Sequence, residues 1–179
     1  PTGFHLPRGK GKEILIAMMN RAREILAEHP VNRAREDRGE KTANAIWLWG
    51  QGRAPRMLPL TERYGLSGGV ISAVDLLNGI GVYAGLKPIR VAGATGYIDT
   101  DYRGKALSAL DALRNMDFVF VHVEAPDEMG HEGKIEGKIK AIEDFDEKVV
   151  GTVLAGMAAL KEVRVLVLSD HPTPISIRT

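Results

Sequence analysis

The 179-residue chain contains no cysteine. That excludes disulfides and thiolate metal sites, and it agrees with a reducing compartment. Aromatic residues make up only 6%, and the formal net charge is +1 with no basic block, so nucleic acid is not an expected partner. No apolar run approaches the ~20 residues that a membrane span needs. No signal peptide is read at the start, and no membrane partner is expected. Internal repeats and low-complexity tracts are missing as well. What is there is 44% hydrophobic and 26% charged, the profile of a folded chain with a sizeable core. The chain begins without Met and ends in the apolar, extended Pro174-Ile-Ser-Ile-Arg-Thr179, so a fragment of a longer protein is expected.

Two stretches share one grammar. Phe118 to Val123 is an apolar, β-branched run that reads as a buried strand, and it passes at once into Glu124-Ala-Pro-Asp127-Glu-Met-Gly-His131-Glu-Gly133. Val163 to Leu168 is a second such run, and it passes into Ser169-Asp170-His171-Pro172. In open α/β sheets ligands gather just beyond the carboxyl ends of strands. Asp127 and His131 are spaced i, i+4, and a turn of helix opened by Pro126 places both on one face. Asp170 and His171 are adjacent, so on an extended chain they point opposite ways, and a turn past the strand end lets one reach each of two ions. Either motif alone reads as strand-end capping. Together they read as a binuclear site, where carboxylate plus imidazole favours Zn²⁺ or Mn²⁺. His122, inside the strand, reads as packed or hydrogen-bonded; His5 and His29 read as incidental.

The rest of the chain supplies the frame. Pro1 to Gly11 reads as a loop and Lys12 to Glu28 as a helix, with Ile14, Met18, Ala22, Ile25 and Leu26 at helical spacing and a stop at His29-Pro30. Val31 to Thr42 reads as a polar, solvated loop, or, through Arg33, Arg35 and Arg38, as an anion site. Ala43 to Trp49 reads as a strand ending at Gly50-Gln51-Gly52-Arg53, and Ala54 to Leu66 as a connector. Then come a strand Gly68–Ser72, a helix Asp75–Leu86 whose glycines imply close packing, a strand Ile89–Ala92 and a helix Tyr102–Asn115. Asp99 and Asp101 read as turn and capping residues. One long helix, Lys134–Leu160, carries Ile135, Ile139, Ile142, Phe145, Val149, Val153 and Met157 on its buried face, and Lys138, Lys140, Glu143, Asp144, Glu147 and Lys148 on a solvated one. Strand–helix alternation predicts an α/β fold with a largely parallel sheet. A right-handed crossover from Phe118–Val123 to Val163–Leu168 brings both ligand loops to one sheet edge.

With those residues in hand, the chain resembles the cofactor-independent phosphoglycerate mutases of the archaeal type. That branch of the alkaline phosphatase superfamily also contains bacterial homoserine kinase-like members. The likeness rests on the Asp127-x-x-x-His131 and Asp170-His171 motifs, on Gly93-Ala-Thr-Gly-Tyr-Ile-Asp-Thr-Asp-Tyr102, and on the stretches Ala43–Gly52 and Leu77–Gly81. The resemblance implies an alkaline phosphatase-like three-layer α/β sandwich, incomplete here. Residues 1–66 would be the end of an inserted substrate domain plus a connector, and residues 67–179 part of the metal-binding core. It implies two divalent ions, Mn²⁺ first and Zn²⁺ or Mg²⁺ as alternatives, with Asp127 and His131 on one ion and Asp170 and His171 on the other. It implies a small phosphorylated substrate, interconversion of 3- and 2-phosphoglycerate through a phosphoserine, and a cytoplasmic, glycolytic setting. The family's nucleophilic serine, an upstream Asp ligand and a third His ligand have no counterpart here. No catalytic residue is identified among Ser67, Ser72, Ser108, Ser169 and Ser176. Arg33 and Arg53 are the candidate substrate-binding arginines. A homoserine kinase-like phosphotransferase and a non-catalytic binding fragment are the competing expectations.

Overall fold

A computed structural model describes residues 5–50, 52–160 and 162–179. The first four residues of the expected N-terminal loop, and Gln51 between Gly50 and Gly52, lie outside them. The chain forms two compact units, Pro1–Ala54 and Pro55–Thr179. The segment read as a connector therefore falls almost wholly with the second unit.

In the first unit, helix α1 spans Lys12–Glu28 as the periodicity predicts. Val31 to Thr42 is not the expected loop, because helix α2 occupies Pro30–Asp37. The reason is local. His29 closes α1, and its side chain accepts the Val31 N–H, capping α2, while Pro30 occupies the first turn, where its missing N–H costs nothing. The buried Asn32 then reaches across to Ala43, donating to its carbonyl and accepting its N–H at 2.6 and 3.0 Å. Ala43 to Trp49 is not a strand. No neighbouring strand pairs with it among the described residues, and Ile46, Trp47 and Trp49 stay exposed.

The second unit begins with a short helix, α3 (Leu60–Tyr64), and contains three parallel strands. These are β1 (Gly68–Ile71), β2 (Lys87–Pro88) and β3 (Phe118–Val121), in the order β2-β1-β3. The α/β class and the parallel sheet are as expected. β1 is buried along its whole length, which suits a central parallel strand. Helix α4 (Asp75–Tyr83) packs on β1 through Gly81, where a Cβ would stand 2.6 Å from a Val70 methyl. The close packing expected of the glycines is real at that position. The expected strand Ile89–Ala92 shrinks to the β2 bridge just before it. Val163 to Leu168 is the larger correction. It forms no strand and makes no crossover, and Leu166 is 84% exposed. An apolar run becomes a strand only when a neighbouring edge takes up its backbone groups.

Helix α5 (Tyr102–Ala112) is capped by Asp101, which accepts the Gly104 N–H at 2.8 Å, and Asp99 accepts the Thr95 hydroxyl at 2.7 Å. The expected long helix is one helical run with an irregular middle: α7 (Ile135–Asp144), a π-helical turn (Phe145–Val150), α8 (Gly151–Gly156) and a 3₁₀ turn (Met157–Ala159). Its buried face differs from the expected one. Phe145, Val149 and Val153 pack on a core of Tyr102, Ala106, Ala125 and Ala141, whereas Ile135, Ile139 and Ile142 are exposed. Asp144, expected on the solvated face, is buried. Its carboxylate takes hydrogen-bonded ion pairs from Lys140 and, at 2.8 Å, from Lys148. Those bonds hold its carboxyl below the ordinary value of 3.8. Tyr102 sits in the same core, and its hydroxyl has no hydrogen-bond partner among the described residues. Burial first, then Asp144 and Asp99, push it up to about 12.

Two outcomes are expected. Tyr102→Phe removes a buried hydroxyl that has no partner among the described residues, so urea unfolding should show stability unchanged or raised, by up to about 1–3 kcal/mol; a clear loss would contradict this environment. For Asp144 the folded-state carboxyl is depressed, so its contribution is fully present above the unfolded value near 3.8 and fades as pH falls through the lower folded value. The stability gap between the chain and Asp144→Asn should be open at pH 7 and closed in strong acid.

Candidate metal centre

β1 and β3 run parallel, so their carboxyl ends lie at one edge. Ser72 and His122 are the residues just past those ends. The Ser72 hydroxyl lies 3.4 Å from His122 Nδ1 and accepts the Val74 N–H at 3.0 Å. His122 Nε2 lies 3.2 Å from a Glu124 carboxylate oxygen. Lys105 of α5 is completely buried and donates to the His122 carbonyl at 3.2 Å. His122 is thus hydrogen-bonded, as expected. Burial is the first cause of the lowered His122 and Lys105 values and of the raised Glu124 value; Asp127, Glu128 and Asp170 push Glu124 further up.

Helix α6 (Ala125–His131) starts immediately after β3, with Pro126 in its first turn. Asp127 and His131 share its face, and Asp127 Oδ2 lies 3.3 Å from His131 Nε2. His131 Nδ1 bonds the Arg178 carbonyl at 2.9 Å. A carbonyl only accepts, so Nδ1 carries the proton and, in the neutral ring, Nε2 keeps its lone pair toward Asp127. This bond is also the main reason that the His131 value is raised.

The chain past Leu168 folds back onto α6. Asp170 Oδ1 accepts the His171 N–H at 2.9 Å, and Asp170 Oδ2 lies 3.5 Å from His171 Nε2. The local turn needed to bring these adjacent residues together is therefore present. His171 Nδ1 lies 3.7 Å from Asp127 Oδ1, so the two motifs meet. They meet even though Val163–Leu168 is not a strand. Lys138 of α7 holds the returning backbone, donating to the Pro172 and Thr173 carbonyls at 2.8 and 2.7 Å. Gly130 lets it approach, since a Cβ there would stand 2.6 Å from the Thr173 carbonyl oxygen.

The donors fit a divalent cation. Two ligands on a tetrahedral ion with bonds near 2.1 Å stand about 3.4 Å apart, close to the separations of both Asp–His pairs. Oxygen and imidazole nitrogen without thiolate is a Zn²⁺- or Mn²⁺-type set. Oxygens of Glu124, Asp127 and Glu128 also lie within 4.8 Å of one another, a repulsion that a cation relieves. Glu124 and Glu128 join the cluster beyond the sequence-expected ligands, and Glu124, Asp127, Glu128 and His131 form one helical stripe. Thr173 gave no local signal. Arg33 and Arg53 belong to the first unit; Arg33 is exposed on α2 and pairs with Glu28.

A family model described as the Metalloenzyme superfamily matches residues 17–179. A 2,3-bisphosphoglycerate-independent phosphoglycerate mutase of Methanothrix thermoacetophila is 59% identical over 180 residues, covering 100% of this chain and 46% of that protein. Its counterpart in Methanosarcina acetivorans is 55% identical over 176 residues, covering 98% of this chain and 44% of the relative. The chain thus spans somewhat less than half the length of these curated relatives. A solved structure from Pyrococcus horikoshii is 29% identical with a TM-score of 0.77, over 93% of this chain and 43% of that one.

Gly130→Ala should force the Thr173 carbonyl and the Lys138 ammonium aside. Thermal unfolding should show a loss of about 1–3 kcal/mol. Unchanged stability would mean that the returning segment does not lie on α6.

Proposed function

We propose, for a chain that belongs to the Metalloenzyme superfamily, that it is part of a metal-dependent phosphoglycerate mutase interconverting 3- and 2-phosphoglycerate. The observation that carries this reading is the meeting of two Asp–His pairs at the carboxyl edge of the sheet, each spaced to share an ion. The names of the relatives that span the whole chain point to the same activity.

Asp127 and His131 hold one cation, and Asp170 and His171 a second, with Mn²⁺ the first choice. When bound, such a pair of ions polarises a phosphoryl oxygen and neutralises charge on the attacking and leaving oxygens. This chain's residues do the rest of the positioning. α6 fixes Asp127 and His131 at the end of β3. The Arg178 carbonyl sets the His131 ring, and Lys138 fastens the segment that carries Asp170 and His171. The seryl hydroxyl that takes up the phosphoryl group, and the remaining ligands, come from the part of the relatives' length that this chain does not span. Arg33 and Arg53, in the first unit, bind the carboxylate or phosphate of the substrate. The setting is cytoplasmic glycolysis, in keeping with a chain without cysteine.

Full-length protein should convert 3-phosphoglycerate without 2,3-bisphosphoglycerate, lose activity on chelation and regain it with Mn²⁺. Asp127→Ala should lower kcat/KM by more than the roughly 10–100-fold typical of residues that only support metal ligands. Activity that survives exhaustive chelation, or that survives in Asp127→Ala, would overturn the proposal.

A further inference from the structure

Thr173 is buried and sits at a positive φ of 38°. That conformation is strained for a β-branched residue, and it persists only where surrounding contacts over-determine it. Such contacts surround Thr173. The Thr173 carbonyl is held by Lys138, and Gly130 packs against it. The hydroxyl lies between the two ligand motifs, donating to Asp127 Oδ1 and standing 2.8 Å from His171 Nδ1. A threonine hydroxyl has one proton. A carboxylate only accepts, so that proton belongs to the bond with Asp127. The same oxygen can then meet His171 only as an acceptor.

We infer that Thr173 is a positioning residue that fixes His171 in the tautomer with Nδ1 protonated and Nε2 free, while orienting Asp127. The chain His171 Nδ1–H to Thr173 Oγ1–H to Asp127 Oδ1 leaves His171 Nε2 and Asp127 Oδ2 as the free ligand atoms. These are the atoms that face Asp170 and His131 at 3.5 and 3.3 Å. The Arg178 carbonyl does the same for His131. Both histidines are therefore set through Nδ1 by groups of the returning segment. One hydroxyl also ties the geometry of one ion's ligands to that of the other's. This assignment rests on the metal-site reading above.

The test is ¹⁵N NMR of the histidine rings in full-length, metal-free protein, followed by Mn²⁺ titration of the same samples. The unsubstituted protein should show His171 protonated at Nδ1. Thr173→Val keeps the β-branch and the shape. It should move His171 toward the Nε2-protonated form and weaken Mn²⁺ binding by about 10–100-fold, the usual loss for an outer-shell group. Thr173→Ser should keep both properties. An Nε2-protonated His171 in the unsubstituted protein overturns the inference, as does a Thr173→Val protein unchanged in tautomer and affinity. Should Thr173→Val not fold, Thr173→Ser decides, because an Nε2-protonated ring there overturns it too. Failure of the unsubstituted protein to bind Mn²⁺ would sink the metal reading alone, and the ring tautomers would still decide the role of Thr173.

Discussion

The hydrogen bond between the Thr173 hydroxyl and the Asp127 carboxylate joins segments 46 residues apart. It joins α6, the helix that follows β3, to an otherwise irregular segment. The other contacts between them converge around it: Lys138 on the Pro172 and Thr173 carbonyls, His131 on the Arg178 carbonyl, and His171 on Asp127. No apolar strand carries Asp170 and His171 into place. Polar bonds to α6 and α7 do, and those made to His131 and Asp127 also orient their donor atoms.

The sheet contributes the other constraint. Parallel pairing of β1 and β3 puts both carboxyl ends at one edge, so Ser72, His122 and Glu124 come together where α6 begins. Burial there is costly for charge, and Lys105, His122 and Glu124 are all shifted toward their neutral forms, with desolvation as the leading cause. Carboxylates gathered above this layer repel one another, and a cation is the simplest relief. The fold thus stores an electrostatic demand at the place where the ligand motifs meet.

What was legible in the sequence was the local chemistry. Asp127 and His131 are separated by one helical turn, Pro126 announces the helix, and the apolar run before it announces β3. All three depend on neighbours in the chain. The misses depend on partners elsewhere. Val163–Leu168 has the composition of a strand, but a strand requires an adjacent edge, which composition does not reveal. Asp144 looks solvated until Lys140, Lys148 and the core around Tyr102 enclose it. Thr173 carries no local signal, and its contacts exist only once the chain returns to α6. α2 is different, because its signals were local: a capping His29 followed by Pro30 marks a helix start as well as a stop.

The central claim is that the two Asp–His pairs hold metal. The most direct measurement is anomalous diffraction from crystals of the full-length protein grown with Mn²⁺, recorded on both sides of the metal's absorption edge. The account predicts one ion bonded to Asp127 and His131 and a second to Asp170 and His171, with ring contacts through Nε2. Ions absent from both pairs, or bound only by Glu124 and Glu128, would contradict it.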